Sequence, residues 1–530
     1  MNQAVPLPVL LPLLAAGIKI MLGPRHPGLQ RVISVTVLAA VLGIAIALLV
    51  EADRSGPLVA RLGGWAAPVG ITLVADRLSA LMLVVSSAVT LCVMVYAIGQ
   101  DMAERGPLTP LSVFHPTYLL LAAGVADSFL AGDLFNLFVG FEIMLMASYV
   151  LITLGGTAGR IRAGTIYIIV ALLSSMMFLV AIAVLYAATG TVNLAQLSGR
   201  IAALPPGITL AAQVLLLTAF GVKAAVFPLS MWLPDSYPTA PAPVTAVFAG
   251  LLTKIGIYGV IRAQTLLFPG DALRTTLLVA ALLSMLVGVL GAMVQVDIKR
   301  LLSFTLVSHI GYMIFGVALG SVAALAATVF YVLHHITIQT TLFLVSGLIE
   351  RRGGSASALR LGGLARTAPL IGVLFFVPAM NLGGIPPMSG FLGKLGLLYA
   401  GVRDGGPLAL VLVAAAVVTS LLTLYALVKV WNQVFWRAPA GLERKENGGD
   451  GGGDAEDGDE EDGDEEDEED AQSASVRLPA AMVGATVAMV ALSLAYTAGG
   501  GPLVDLTGRT AGELDRPHAY VRAVAPEGPP

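Results

Sequence analysis

Four ionisable side chains lie in the middle of long apolar stretches, where a membrane would disfavour them. They are Glu142, Lys223, Lys254 and Lys394. An ionisable residue at the centre of a membrane-spanning helix costs roughly 2.5–3.5 kcal/mol on insertion scales, so each of the four requires a functional or structural reason.

The choice of lysine at three of these positions favours proton transfer. The chain has 7 Lys and 23 Arg, and most of its basic loop residues are Arg. Arginine is in effect always charged, whereas burial can bring the pKa of a lysine towards neutrality. Each lysine could instead be a fixed charge paired with an acid, which is partly plausible for Lys223 with Glu142. One buried acid cannot neutralise three lysines, so we favour proton handling.

Smaller polar side chains fill the sequence between Lys254 and Lys394. The tenth apolar stretch, Leu301–Leu319, and the eleventh, Val322–Leu348, carry Ser303, Ser308, His309, His334, His335 and Gln339. A lone histidine in a helix is usually a packing residue, and this alternative holds for either His334 or His335. Because imidazole titrates near neutral pH, the adjacent pair predicts a water-linked proton relay.

The composition identifies the medium that surrounds these residues. The 530 residues are 57% hydrophobic and 12% charged, with a mean hydropathy of +0.86. Soluble domains carry about 25% charged residues, so a soluble globular protein is excluded.

The single cysteine, Cys92, excludes an internal disulfide framework and a cysteine-rich metal site. We find no nucleotide loop, metal-ligand cluster or nucleophile elbow, and expect no cofactor, no bound metal and no nucleic acid partner.

About fourteen apolar stretches are long enough to cross a membrane, which predicts an all-α polytopic membrane protein. Two of them should be interrupted. Span 7, Leu210–Leu233, contains Pro228, and span 12, Leu370–Ala400, contains Pro386 and Pro387 beside several glycines. Proline removes a backbone donor and clashes with the preceding turn. Interrupted helices five spans apart, each with a lysine, predict two inverted repeats of five helices.

These features divide the chain into five parts. We expect spans 1–3 in residues 1–115, the first repeat with spans 4–8 in 116–265, the second with spans 9–13 in 266–436, an acidic linker in 437–476, and span 14 with a tail in 477–530. Fifteen of the 21 residues from 450 to 470 are acidic. Such a segment cannot bury enough apolar surface to fold, so we predict a disordered linker rather than a cation-binding device.

Basic residues in the connections predict the orientation. With the N-terminus outside, the inside connections carry 14 Lys and Arg and the outside connections carry 7, Arg262 among them. Because basic residues are retained on the cytoplasmic side, both termini should be external and the acidic linker cytoplasmic. We expect a multi-pass protein of the cell membrane.

Two long motifs make a family resemblance specific. The segment from Asp133 to Glu142, DLFNLFVGFE, and the segment from Lys223 to Val244, KAAVFPLSMWLPDSYPTAPAPV, resemble the proton-conducting, antiporter-like subunits of respiratory complex I, membrane-bound hydrogenases and Mrp-type multisubunit cation/proton antiporters. They are most similar to the D subunits of Mrp antiporters. The likeness extends from the first span to about Trp436.

The resemblance implies a role for each buried charge. Glu142 and Lys223 would form the coupling ion pair, Lys254 the central relay and Lys394 the terminal gate. Gln339 stands where many relatives have lysine, so the relay there would pass through His334, His335 and water. The implied partners are protons, Na⁺ and the other membrane subunits of a hetero-oligomeric antiporter.

Three functions remain open from the sequence. The leading one is a secondary transport subunit that conducts protons so that the assembly can expel Na⁺. The second is the same fold in a redox-driven pump of the complex I or hydrogenase type, without a redox centre of its own. The third is a non-conducting scaffold, which the three lysines disfavour. The acidic insertion is foreign to the family pattern and suggests a haloarchaeal source.

Overall fold

The fold is a bundle of membrane-length helices. The structure, a computed structural model, describes residues 1–23, 26–101, 111–438 and 478–525. Within these ranges, 13 helices are long and apolar enough to span a membrane. Spans 1 to 11 are Asn2–Leu22, Pro27–Ser55, Arg77–Gln100, Val113–Leu130, Leu134–Thr153, Ala158–Thr189, Pro206–Ala224, Ala242–Leu267, Arg274–Val294, Ile298–Leu319 and Val322–Gly353. Spans 13 and 14 are Pro407–Trp436 and Ala480–Ala498.

Span 12 completes the set as two shorter helices, Pro369–Gly383 and Ser389–Asp404. With it the described chain has the fourteen spans that the sequence predicts. The acidic linker predicted for 437–476 lies almost entirely outside the described residues.

Both predicted interruptions are confirmed. The first helix of span 7 ends at Ala224, and helical structure resumes only at Trp232–Ser236. Ala225, with φ +57°, takes the left-handed conformation that ends the helix. Span 12 breaks after Gly383, where Gly384 has φ +84° and two prolines follow. Glycine adopts such a φ without the steric cost that a Cβ atom would bring.

Two backbone clasps, each an isolated antiparallel bridge, join connections of the bundle. Asp133, before span 5, forms an antiparallel bridge with Asn193, and Asp297, before span 10, forms one with Ser357. In the first clasp, the amide of Leu134 donates to the carbonyl of Val192, and the amide of Leu194 donates to the carbonyl of Gly132. In the second clasp, the amide of Ile298 donates to the carbonyl of Ala356, and the amide of Ala358 donates to the carbonyl of Val296. Both Asp133 and Asp297 also cap the helix that follows. Because five spans separate them, the clasps lie on opposite faces of the bundle.

The face that carries the N-terminus has two elements absent from the sequence prediction. A hairpin of β1, Leu58–Arg61, and β2, Thr72–Ala75, follows span 2. Two helices, Gly500–Asp515 and His518–Val524, follow span 14. The Asp53 carboxylate accepts a hydrogen bond from Arg77 at 2.8 Å. It accepts another from Arg509, also at 2.8 Å. The connection after span 2 and the C-terminal helices therefore share one face, which we call the terminal face.

Three spans form the buried interior. In the most apolar windows of spans 8 and 11 every residue is buried, and in span 10 the share is 94%. Apart from span 3, the remaining spans expose large apolar side chains outwards, as expected of helices in lipid. Most of the sequence-predicted site therefore lies on helices enclosed by protein.

Candidate functional site

Lys223 lies at the last turn before the break of span 7. It is 9% exposed, and its ammonium lies 5.7 Å from the centre of the Phe141 ring. Beyond the break, Trp232 and Tyr237 line a cavity of about 10 Å³ together with Lys223 and Tyr167 of span 6. This volume is close to what a single water molecule requires.

Glu142 of span 5 lies next to Phe141 and interacts electrostatically with Lys223 and Tyr167. Its Oε1 atom is buried without a hydrogen-bond partner in the described chain. No ion pair within 4.0 Å joins Glu142 to Lys223 among the described residues. The two groups therefore interact electrostatically without forming a direct ion pair in the described chain, and their coupling role stays a prediction.

Lys254 is fully buried in span 8. Its Nζ atom donates to the carbonyl of Ala249 at 2.6 Å. Ala249 belongs to Phe248–Leu252, a wide π-helical turn, and such turns occur frequently at functional sites. The π turn therefore supplies the carbonyl that holds the central lysine.

Lys394 begins one turn after the break of span 12 and points back into it. Its Nζ atom donates to the carbonyls of Leu382 and Gly383 at 2.8 and 3.2 Å, and to the Ser420 hydroxyl at 2.9 Å. It also lies 5.4 Å from the centre of the Tyr312 ring. The C-terminus of a helix carries partial negative charge, so the first half of span 12 is a natural partner for this cation.

A cluster of five rings, the imidazole cluster, lies between Lys254 and Lys394. It consists of His309, Tyr312, Tyr331, His334 and His335, all buried, with neighbouring ring centres 5.2–6.2 Å apart. His309 Nδ1 and the Tyr331 hydroxyl are hydrogen-bonded at 2.5 Å. The electrostatic interactions of His335 include both lysines, so the cluster connects their surroundings.

Four ring nitrogens of this cluster have no hydrogen-bond partner within the described chain. They are His309 Nε2, His334 Nε2, His335 Nδ1 and His335 Nε2. Buried polar groups without a partner are uncommon and call for an explanation such as water or a transferred proton. Sequence reasoning missed Tyr312 and Tyr331, although each lies three residues from a predicted histidine, a spacing that places both on one helix face.

The remaining predicted relay residues have backbone partners. Ser303 donates to the carbonyl of Lys299 at 2.9 Å, and Ser308 to that of Met285 at 2.9 Å. Gln339 donates to the carbonyl of Leu302 at 2.7 Å, while its Oε1 atom is buried without a partner. The two serines have no hydrogen left to pass towards the imidazoles, so their relay role stays a prediction without geometric support.

Several buried charges were not predicted from the sequence, among them Arg262 and Lys19. Arg262, counted there as a connection residue, lies five residues before the end of span 8 and forms an ion pair with Asp76 at 2.5 Å. Lys19 contacts Ser34, whose hydroxyl is 3.0 Å from His115 Nδ1. Both basic residues lie near span ends, where a long side chain usually reaches water, so nothing in the sequence marked them as buried.

No group of three His, Cys, Asp or Glu side chains suited to a metal ion occurs in the described part of the chain. The site is instead a series of buried titratable groups on a bundle with two broken helices. This arrangement defines a class: polytopic membrane proteins with an internal series of ionisable side chains.

Residues 131–423 match the NADH:quinone oxidoreductase/Mrp antiporter transmembrane family, and the chain belongs to it. The Na⁺/H⁺ antiporter D subunit of Alkalihalophilus pseudofirmus is 39% identical over 450 residues, covering 84% of this chain and 90% of the relative. The protein of the same name from Bacillus subtilis is 36% identical over 441 residues, covering 82% and 87%. The predicted resemblance to Mrp D subunits is confirmed.

Solved structures agree with these relatives. A chain of the Mrp complex from Dietzia sp. DQ12-45-1b superposes with a TM-score of 0.86 at 35% identity, covering 99% of this chain and 100% of the other. A chain of respiratory complex I from Thermus thermophilus gives a TM-score of 0.76 at 22% identity, covering 98% and 99%. At that identity the second likeness concerns the fold alone.

Proposed function

We propose that this chain is the proton-conducting D-type subunit of a multisubunit Na⁺/H⁺ antiporter in the cell membrane. One observation carries the proposal: Lys254, the imidazole cluster and Lys394 form a buried series through the interior of the bundle. Lys223, Lys254 and Lys394 have no carboxylate oxygen within 4.0 Å in the described chain, which suits groups that gain and lose protons better than fixed structural charges.

The proposed path has an entrance on the face opposite the termini. A cavity of about 510 Å³ there is lined by Arg160, Lys299 and Glu350, among others, and by Pro238 and Thr239. Tyr237, which directly precedes Pro238 in the chain, lines the small cavity at Lys223. Protons would pass from this cavity to Lys223, with Glu142 as the coupled charge, then to Lys254, the imidazole cluster and Lys394.

The two backbone clasps support the inverted repeats that the sequence predicts. Each precedes a span five positions from its equivalent, each involves a capping aspartate, and the two lie on opposite faces. We assign residues 116–265 and 266–436 to these repeats. In each, the fourth span is broken and carries a lysine.

The antiporter assignment is favoured over a redox-driven pump by sequence identity. Antiporter D subunits reach 39% and 36% identity to this chain, whereas the chain of the membrane-bound sulfane sulfur reductase reaches 23% and that of complex I 22%.

The external termini and the cytoplasmic acidic linker remain part of the proposal. The antiporter relatives named above are bacterial, so a haloarchaeal source gains no support from them.

The test is Na⁺-dependent proton movement in everted vesicles from an antiporter-deficient host that expresses this chain with its partner subunits. We expect Na⁺ to collapse a pre-formed pH gradient without any added electron donor for a redox reaction in this complex. Lys254→Met should abolish the response while leaving complex assembly unchanged. Lys429→Met is the matched control, because Lys429 lies on span 13 and donates to the Met293 carbonyl away from the series. Wild-type exchange in Lys254→Met vesicles would refute the proposal.

A further inference from the structure

The break of span 12 is connected to span 11 by a continuous chain of hydrogen bonds. The backbone amide of Gly390 donates to Asn381 Oδ1 at 2.8 Å, and the Ser389 hydroxyl lies 3.3 Å from the same oxygen. The Ser389 hydroxyl also lies 3.0 Å from His334 Nδ1. The Asn381, Ser389 and His334 side chains are all buried.

The direction of each bond in this chain follows from its fixed end. A backbone amide can only donate, so the Asn381 atom that it meets is the carbonyl oxygen, which can only accept. The Ser389 hydroxyl must then donate its hydrogen to Asn381. Its oxygen is left to accept from His334 Nδ1, which therefore carries the hydrogen of the neutral imidazole.

The other nitrogen of the ring is free to accept a proton. His334 Nε2 is buried and has no hydrogen-bond partner in the described chain. Gly390 keeps space beside it, because a Cβ atom at Gly390 would lie 3.0 Å from Nε2 and would also collide with the Asn381 carbonyl. The titratable and charged groups around the ring are Tyr331, His335, His309 and Lys394.

We propose that Asn381 and Ser389 are positioning residues that hold neutral His334 with its hydrogen on Nδ1 and present Nε2 to the proton path. His334 would accept a proton at Nε2 to form the imidazolium and release it from Nε2, while Nδ1 keeps its hydrogen throughout. The ring thus works as a one-nitrogen shuttle and needs no tautomer exchange between transfers. This inference rests on the proposed function and specifies how one of its groups acts.

Infrared spectroscopy of the purified, assembled complex with isotope-labelled histidine tests the tautomer. The difference spectrum between wild type and His334→Gln isolates the band of this ring, whose position distinguishes Nδ1–H from Nε2–H. We expect the Nδ1–H signature in wild type and in Asn381→Asp, which keeps an acceptor for Ser389 and Gly390. In Ser389→Ala we expect a mixture of tautomers, with antiport about three- to tenfold slower because one orienting hydrogen bond is lost.

Thr341→Ala is the matched control, since within the described residues this buried hydroxyl bonds only the Thr337 carbonyl of its own helix, at 2.7 Å. It should leave both the spectrum and the flux unchanged. An Nε2–H signature in wild type, or an unchanged His334 spectrum in Ser389→Ala, would overturn the inference. Wild-type flux in His334→Gln would instead remove His334 from the proposed path, so the two failures are distinguishable.

Discussion

Gly384 offers a sharp test of whether the position of Lys394 matters for transport. It ends the first helix of span 12 with φ +84°, and a Cβ atom there would lie 2.9 Å from Lys394 Cδ and 3.3 Å from Nζ. In Gly384→Ala the atom that must move therefore belongs to Lys394. Moving it loosens contacts with Leu382, Gly383 and Ser420.

The magnitude follows from these contacts. A hydrogen bond to a charged group contributes about 1.5–3 kcal/mol, so the loss of one corresponds to roughly a tenfold to hundredfold effect. The backbone strain of alanine in a left-handed conformation adds about 1–2 kcal/mol. Gly405 ends the second helix of span 12 with φ +70°, and a Cβ atom there would have no neighbour within 4 Å, so substitution at this position isolates that strain.

The assay is Na⁺-dependent collapse of the pH gradient in everted vesicles, normalised to the amount of assembled complex. Gly384→Ala and Gly405→Ala should both lower the amount of complex through backbone strain, and Gly384→Ala should lower it further through the lost contact of Lys394. Only Gly384→Ala should lower the normalised rate, by roughly tenfold or more, since it alone disturbs a hydrogen bond of the Lys394 ammonium. Equal normalised rates for the two variants would show that the placement of Lys394 is immaterial to transport, and our reasoning about the gate would fail.

Three further predictions concern the other buried charges. Lys223→Met and Glu142→Gln should each abolish Na⁺-dependent proton flux with normal assembly, and wild-type flux in either would remove that group from the path. Lys254→Arg should be nearly inactive, because a guanidinium cannot release its charge. The Ala249 carbonyl that accepts from Lys254 is also a single acceptor, too few for the added guanidinium hydrogens. Retained flux in this variant would mean that Lys254 has a structural role. Arg262→Met should reduce the yield of folded complex, since unpaired Asp76 would cost about 3–5 kcal/mol, and adding Asp76→Asn should restore part of it. Thermal aggregation of the purified complex measures this recovery, and none would show that the pair is not coupled.

The sequence was sufficient for features that depend on local chemistry. Prolines and glycines inside apolar stretches locate both helix breaks because proline cannot continue the hydrogen-bond ladder. Buried lysines are recognisable because charge inside an apolar run is costly wherever the helix packs. The span count and the positions of Lys223 and Lys394 beside the breaks could therefore be predicted.

Features that depend on packing between distant segments could not be predicted. Tyr312 and Tyr331 look like ordinary aromatic core residues until spans 10 and 11 are placed side by side. The helix Gly500–Asp515 contains glycine, proline and charges, and its sequence resembles a tail, yet Arg77 and Glu513 at 3.0 Å help to hold it on the terminal face. The link between Ser389 and His334 joins residues 55 positions apart, which no local pattern specifies.

The backbone clasps at Asp133 and Asp297 have a consequence for mutagenesis and for comparison of relatives. Their bridging bonds join amides to carbonyls, so alanine scanning leaves these bonds intact and the side chains around them are free to diverge. Only a residue without an amide hydrogen removes such a bond. Leu194→Pro or Ala358→Pro would each remove one of the two bonds of one clasp, on its own side of the membrane. The two clasps are therefore features that neither residue identity nor a library of alanine variants would detect.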